Sequence, residues 1–103
     1  MTGVSSARRD WAHGYQRFLE GTRSPGDADV LHEQLDTLTG EIRRRIGGTF
    51  TLAELVDVYA AAEQWAREVI EERAPSPRFA LTLADSTDAA FHLYSRGAQD
   101  YAP

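Results

Sequence analysis

The segment Phe50-Thr51-Leu52-Ala53-Glu54-Leu55 fits one local structure, a helix N-terminus set to the residue. Thr51 and Glu54 have the spacing of a capping box, in which the Thr hydroxyl accepts from the N3 amide and the Glu carboxylate accepts from the N-cap amide. Phe50 and Leu55 occupy the two positions of a hydrophobic staple. Gly47-Gly48 ends the preceding segment. The run that starts at Leu52 is amphipathic to about Arg73. On a helical wheel Leu52, Leu55, Val56, Val58, Tyr59, Ala62, Trp65, Ala66, Val69 and Ile70 fill about half the circumference. An arc that wide touches two neighbours, so this helix is expected at the centre of the fold, with Trp65 in its middle. Trp11, near a chain end, is expected to contribute less.

Three further helical segments follow from periodicity. The first runs from about Ser6 to Glu20, with Trp11, Tyr15 and Phe18 on one face and Gly21 as a left-handed stop. The second opens at Ser24-Pro25-Gly26-Asp27, where Ser24 suits the cap, Pro25 the first turn and Asp27 the positive helix end. It carries Leu31, Leu35, Leu38 and Ile42 at four-three-four spacing, a coiled-coil-like seam extended by Ile46. The last begins at Pro77 and reaches Arg96, with Phe79, Leu83, Ala90, Phe91 and Tyr94 on one face. A competing reading makes Phe79, Leu81 and Leu83 a short strand, followed by a helix from Asp85. A lone strand has no partner in this chain, so helix is preferred, with a kink at Asp85-Ser86-Thr87.

The expected fold is therefore all-α: a small antiparallel bundle of three to four helices with short loops, in one domain over residues 1–103. Residues 1–5 and 98–103 are read as short flexible ends. The expected core is Trp11, Tyr15, Phe18, Leu55, Tyr59, Trp65, Val69, Phe91 and Tyr94. A chain of 103 residues buries enough surface to need no metal or disulfide staple.

Composition removes several function classes. With no cysteine, thiol catalysis, disulfides and thiolate metal sites are excluded. No apolar run approaches the ~20 residues of a membrane span, and the first residues lack a signal-peptide pattern, so a cytoplasmic protein is expected. Lysine and asparagine are both missing while all eleven basic residues are arginine, which points to a high-GC bacterial genome. The net charge of −5 disfavours nucleic-acid partners. A helix-turn-helix over 51–72 would place four glutamates against one arginine in its recognition helix, and no turn separates the two halves.

The chemistry-bearing residues form no specific motif. Asp10/His13, Asp29/His32 and Asp88/His92 are one turn apart, as metal ligands on a helix are, but ligands in a bundle must project inward. The wheel puts His13 and His92 opposite their apolar faces and only His32 near an apolar edge, so no metal and no other cofactor is expected. Glu63 falls inside the apolar arc, where a salt bridge to Arg45 or another arginine would satisfy it. A small enzyme with a pocket around Glu63 and His32, and a nucleic-acid-associated regulator, are the alternative functions. The preferred reading is a protein–protein interaction module, an adaptor or small regulator. Its candidate contacts are Arg43, Arg44 and Arg45 at the end of the second helix, the acidic strip Glu54, Asp57, Glu68, Glu71 and Glu72 of the third, or a homodimer seam along Leu31, Leu35, Leu38 and Ile42.

Overall fold

Four helices make up the computed structural model, which describes residues 3–73 and 77–96; of residues 3–5, 70–73 and 77–82 it describes only the backbone. They are α1 (Gly3–Gly21), α2 (Pro25–Ile46), α3 (Leu52–Arg73) and α4 (Pro77–Ser95). Among the described residues there is no strand. The segment that could be read as strand or helix is helix: α4 runs unbroken from Pro77, and 77–84 belong to it.

The ends of the helices show how the sequence sets them. At the start of α3 the capping box is complete. Thr51 N–H donates to Glu54 Oε1 at 2.8 Å, and Glu54 N–H donates to Thr51 Oγ1 at 3.1 Å. Phe50 and Leu55 close the staple, both buried. Gly47 ends α2 with φ +80°, a conformation that a side chain would strain. Gly21 does not do the same for α1. It stays helical, and the chain leaves through tight turns, with Arg23 N–H on Glu20 O and Ser24 N–H on Gly21 O. Ser24 takes the extended backbone of an N-cap, but its hydroxyl makes no cap bond. The start of α1 also comes earlier than expected, since Gly3, Val4 and Ser5 are helical. The linker Ala74-Pro75-Ser76 and the tail 98–103 lie outside the described residues.

Contacts give the directions of the helices. Arg17 meets Asp85 and Trp11 meets Phe91, so α1 and α4 run antiparallel. Phe50 stacks on Tyr94 and Tyr59 reaches Asp88, so α3 and α4 are antiparallel too. Gln34 meets Ser86 and Gly47 meets Tyr94, so α2 lies parallel to α4. The result is an up-down-up-down bundle, 41 × 25 × 19 Å.

The central helix is α4, not α3. Ser86 to Phe91 are six consecutive buried residues, which is possible only for a helix covered on all sides. α1, α2 and α3 all pack against it. Small side chains explain this: Ser86, Ala89 and Ala90 let neighbours approach, whereas the bulky arc of α3 faces one way. The main core joins Trp11, Leu38, Ile42, Leu55, Trp65 and Phe91, and a smaller cluster joins Phe18, Leu31 and Ala89. Trp11 is 0% exposed, with the rings of Tyr59 and Phe91 each 5.4 Å away. The expectation that it is peripheral fails because α1 lies lengthwise on the central helix. Of the expected core, Trp11, Phe18, Leu55, Trp65 and Phe91 are buried, and Tyr15, Tyr59, Val69 and Tyr94 are half-buried against them. The side chain of Phe79 lies outside those described.

Candidate functional site

One turn of α4 carries a polar contact to each of the other three helices. Asp85 accepts from Arg17 Nε of α1 at 2.8 Å. Ser86 donates to Gln34 Oε1 of α2 at 2.6 Å, with both side chains fully buried. Asp88 accepts from the Tyr59 hydroxyl of α3 at 2.6 Å. The sequence places these groups by spacing: 85 and 88 share the side of α4 that α1 covers, and 86 turns toward α2.

Asp88 is the chemically unusual member, because it is a carboxylate with only 9% exposure. Gly14 of α1 makes room for it. A Cβ at Gly14 would lie 2.7 Å from the Asp88 carboxyl carbon and closer still to its Cβ and Oδ2. Burial raises the Asp88 pKa above the ordinary carboxylate value. The Tyr59 hydrogen bond and the Arg17 charge pull it down, while Asp85 and Asp10 push it up. Arg17 NH2 lies 3.7 Å from Asp88 Oδ2. The Tyr59 hydroxyl is held protonated well above its usual range, first by burial and then by its bond to Asp88. Both oxygens of Asp88 thus face protein groups. The arrangement stores a proton-sensitive charge between helices and does not present a nucleophile.

A second buried acid sits on α2. Glu41 is 8% exposed and takes Arg44 Nη1 at 2.9 Å on one oxygen and Arg45 Nε at 3.0 Å on the other. Arg45 also lies over the Trp65 ring, 4.7 Å from its centre. Arg45 therefore stacks its charge on the core, and its acid partner is Glu41 of its own helix and not Glu63. Glu63 is exposed rather than buried. It stands at the margin of the α3 arc, where α4 does not reach.

The remaining candidate residues scatter. Leu31, Leu38 and Ile42 are buried inside the chain, and Leu35 packs against both clusters, so the leucine seam is occupied by α4 and its neighbours. Among the described residues Arg43 is exposed without an acid partner, whereas Arg44 and Arg45 share Glu41. Glu54 is used by the capping box. Asp57 and Glu68 point outward, and the side chains of Glu71 and Glu72 lie outside those described. His13 and His32 are exposed, with His32 edge-on to Phe18. His92 is half-buried and stacks on Tyr15 at 4.8 Å, because α1 covers more of α4 than its apolar stripe implies. Among the described residues no three His, Asp or Glu side chains gather as a metal site. A shallow open depression on α3 is lined by Glu63, Gln64, Arg67 and Glu68.

Sequence reasoning missed Gln34, Glu41, Ser86 and the role of Asp88. One signal pointed to the last. Gly14 interrupts a helix with no turn after it, and a mid-helix glycine marks a close approach. Ala7, Gly14 and Gly21 recur every seven residues, with Trp11 and Phe18 between them, so small and large positions alternate along the packed face of α1, Gly14 against Asp88 of α4 and Gly21 against Leu31 of α2. No protein-family model, no curated protein and no solved structure matches the chain. No described helix is long and apolar enough to cross a membrane.

Proposed function

We propose that the protein is a small helical interaction module that meets a protein partner through charged helix surface. The observation that carries this reading is the contrast between its two kinds of surface residue. The large apolar side chains are consumed inside the chain: among the described residues Leu19, at 39% exposure, is the single exposed large hydrophobe. On the outer strip of α3, by contrast, Asp57 and Glu68 stand exposed with no ion pair among the described residues. Unpaired like charges on one strip suit a basic partner segment, for which they supply orientation and association rate.

The alternatives receive less support. Two arginines of the 43–45 run are engaged with Glu41, so that run is not a free basic cluster for a nucleic acid. Glu63 and His32 are exposed on different helices, and the depression that Glu63 lines is bordered by Gln64, Arg67 and Glu68 rather than by His32. Self-association through Leu31, Leu35, Leu38 and Ile42 would require those residues to leave the core.

The test is affinity capture from the native cell with the wild type and with a double charge reversal, Asp57→Arg with Glu68→Arg. A partner held stoichiometrically by the wild type, and lost from the folded variant and at high salt, supports the reading. Identical captures on both baits refute it.

A further inference from the structure

Four aromatic rings from three helices meet in the main core. Trp11 of α1 lies 5.4 Å, centre to centre, from Tyr59 of α3 and from Phe91 of α4. Tyr59 and Phe91 are 4.9 Å apart, edge to face, and Trp65 of α3 stands 6.4 Å from Phe91. Trp11 and Phe91 are fully enclosed and Trp65 is nearly so. In a chain without cysteine, tryptophan and tyrosine are the side chains that lose a single electron most readily.

The surroundings of these rings differ in a way that orders them. Trp65 lies under the Arg45 guanidinium, 4.7 Å from its ring centre, and a fixed positive charge opposes the loss of an electron there. The Trp11 indole N–H is buried and has no acceptor among the described residues, so an oxidised Trp11 keeps its proton and stays a strong oxidant. Tyr59 is the member with a base in contact: its hydroxyl donates to Asp88 Oδ1 at 2.6 Å. A phenol becomes a strong acid once it is oxidised, so it gives up its electron readily only where its proton has somewhere to go. Burial makes Asp88 a stronger base than an exposed carboxylate. The Tyr59 phenol is itself held protonated far above its usual range, first by burial and then by Asp88, so its proton moves only when the electron does. Tyr94, by contrast, donates to the carbonyl of Gly47, which accepts a hydrogen bond but cannot keep a proton.

We propose that Trp11, Tyr59 and Asp88 form a one-electron relay that ends in a neutral tyrosyl radical at Tyr59, with small oxidising radicals as the class of oxidant that it drains. In the first step the oxidant takes one electron from the indole of Trp11, leaving the reduced oxidant and an indole radical cation. In the second, Tyr59 gives one electron to that cation across the ring contact, which restores the indole. The phenolic proton crosses the hydrogen bond to Asp88 Oδ1 at the same time. The positive charge of the indole and the negative charge of the carboxylate both disappear, and a neutral radical faces a neutral acid. No separated charge is left in the core, which is what makes Tyr59 the resting place of the oxidising equivalent. The relay lies inside the bundle and uses none of the surface charges of α3.

Pulse radiolysis with the azidyl radical, which oxidises indoles in preference to phenols at neutral pH, tests this by transient absorption. In the wild type the indole-radical band should decay as the tyrosyl band rises, with a first-order rate that does not change with protein concentration and that slows in heavy water. Tyr59→Phe should abolish the transfer and leave a long-lived indole radical, while Tyr15→Phe, Tyr94→Phe and Tyr101→Phe each keep it. Asp88→Asn separates the base from the scaffold, because its amide oxygen still accepts from Tyr59 but does not take the proton. Transfer should slow about a hundredfold in that variant, the lower end of what a positioned base contributes. Trp11→Phe should slow it too, since an electron hole on Trp65 must then pass Phe91. Circular dichroism establishes that each variant is folded. A rate in the wild type that rises with protein concentration or is indifferent to heavy water overturns the proposal without recourse to any variant. Transfer that persists in folded Tyr59→Phe, or that is as fast in folded Asp88→Asn as in the wild type, overturns it equally.

Discussion

Two glycines inside helices should respond to alanine in opposite directions. Glycine in a helix interior costs about 1 kcal/mol relative to alanine, through backbone entropy. Gly40 of α2 is exposed, and a Cβ there meets nothing within 4 Å. Gly40→Ala should therefore recover roughly 0.5–1 kcal/mol. Gly14 of α1 has the same intrinsic deficit, but its missing Cβ is occupied space. The added methyl would overlap Asp88 at its Cβ and Oδ2, and lie 2.7 Å from its carboxyl carbon. A Cβ cannot rotate away, so α1 must lift off α4. Overpacking costs typically 1–3 kcal/mol, and more where backbone has to move. It also strains the Tyr59–Asp88 bond beneath. Set against the helical gain, the net loss should be about 2 kcal/mol, or roughly 8–16 °C in Tm for a domain of this size. Thermal and urea unfolding followed by circular dichroism measure both variants on one scale. If Gly14→Ala proves as stabilising as Gly40→Ala, the close approach of α1 and α4 at Asp88 is wrong.

Other perturbations follow from the same contacts. Trp11→Ala should cost about 3–5 kcal/mol, no less than Trp65→Ala, since Trp11 is fully buried on the central helix. Trp11→Phe should cost much less in the same urea melts, because it keeps the ring and removes an indole N–H that has no acceptor. Thr51→Ala should lose about 1 kcal/mol by breaking one half of the capping box. Asp88→Asn should lie within about 1 kcal/mol of the wild type near neutral pH, since the amide oxygen still accepts from Tyr59. The sign of its pH dependence is fixed by the raised Asp88 pKa. An acid with a raised folded pKa contributes stability below its unfolded value and loses that contribution as pH rises through the folded value. The wild type should therefore gain on the variant as pH falls toward 4, read from urea midpoints, and a gain in the other direction refutes the burial argument.

What was legible in the sequence was local. The capping box at Thr51 and Glu54, Pro25 and Pro77 at helix starts, and Gly47 at a helix end each act within one turn, so adjacent residues suffice to read them. The apolar stripes were legible for the same reason, and they place most of the core. The centrality of α4 was not, because it comes from small residues. Ser86, Ala89 and Ala90 look unremarkable on a wheel, yet their size is what allows three helices to surround them. Glu63 shows the opposite failure. A wide apolar arc on α3 implied cover on both edges, but neighbours cover only the side that faces α4. Two of the buried polar contacts join residues more than a helix apart in sequence: Gln34 with Ser86, and Tyr59 with Asp88. No periodicity within one helix reports such a pairing.

The placement of those polar groups bears on why the bundle has one arrangement. Small-residue seams such as the one between α1 and α4 allow helices to come close, but they discriminate poorly between axial registers, since one small side chain packs much like another. A polar pair discriminates sharply, because a shift of one turn leaves buried donors and acceptors unpaired, at about 1–3 kcal/mol each. Asp85, Ser86 and Asp88 lie within four residues of α4 and reach Arg17, Gln34 and Tyr59, one on each of the other helices. One turn of the central helix thus sets the register of the whole bundle. Apolar side chains of similar size would bury as well or better, but they would leave three sliding contacts where there are now three fixed ones. The raised pKa of Asp88 is the energetic trace of that choice: a charge kept in the interior for the position it enforces.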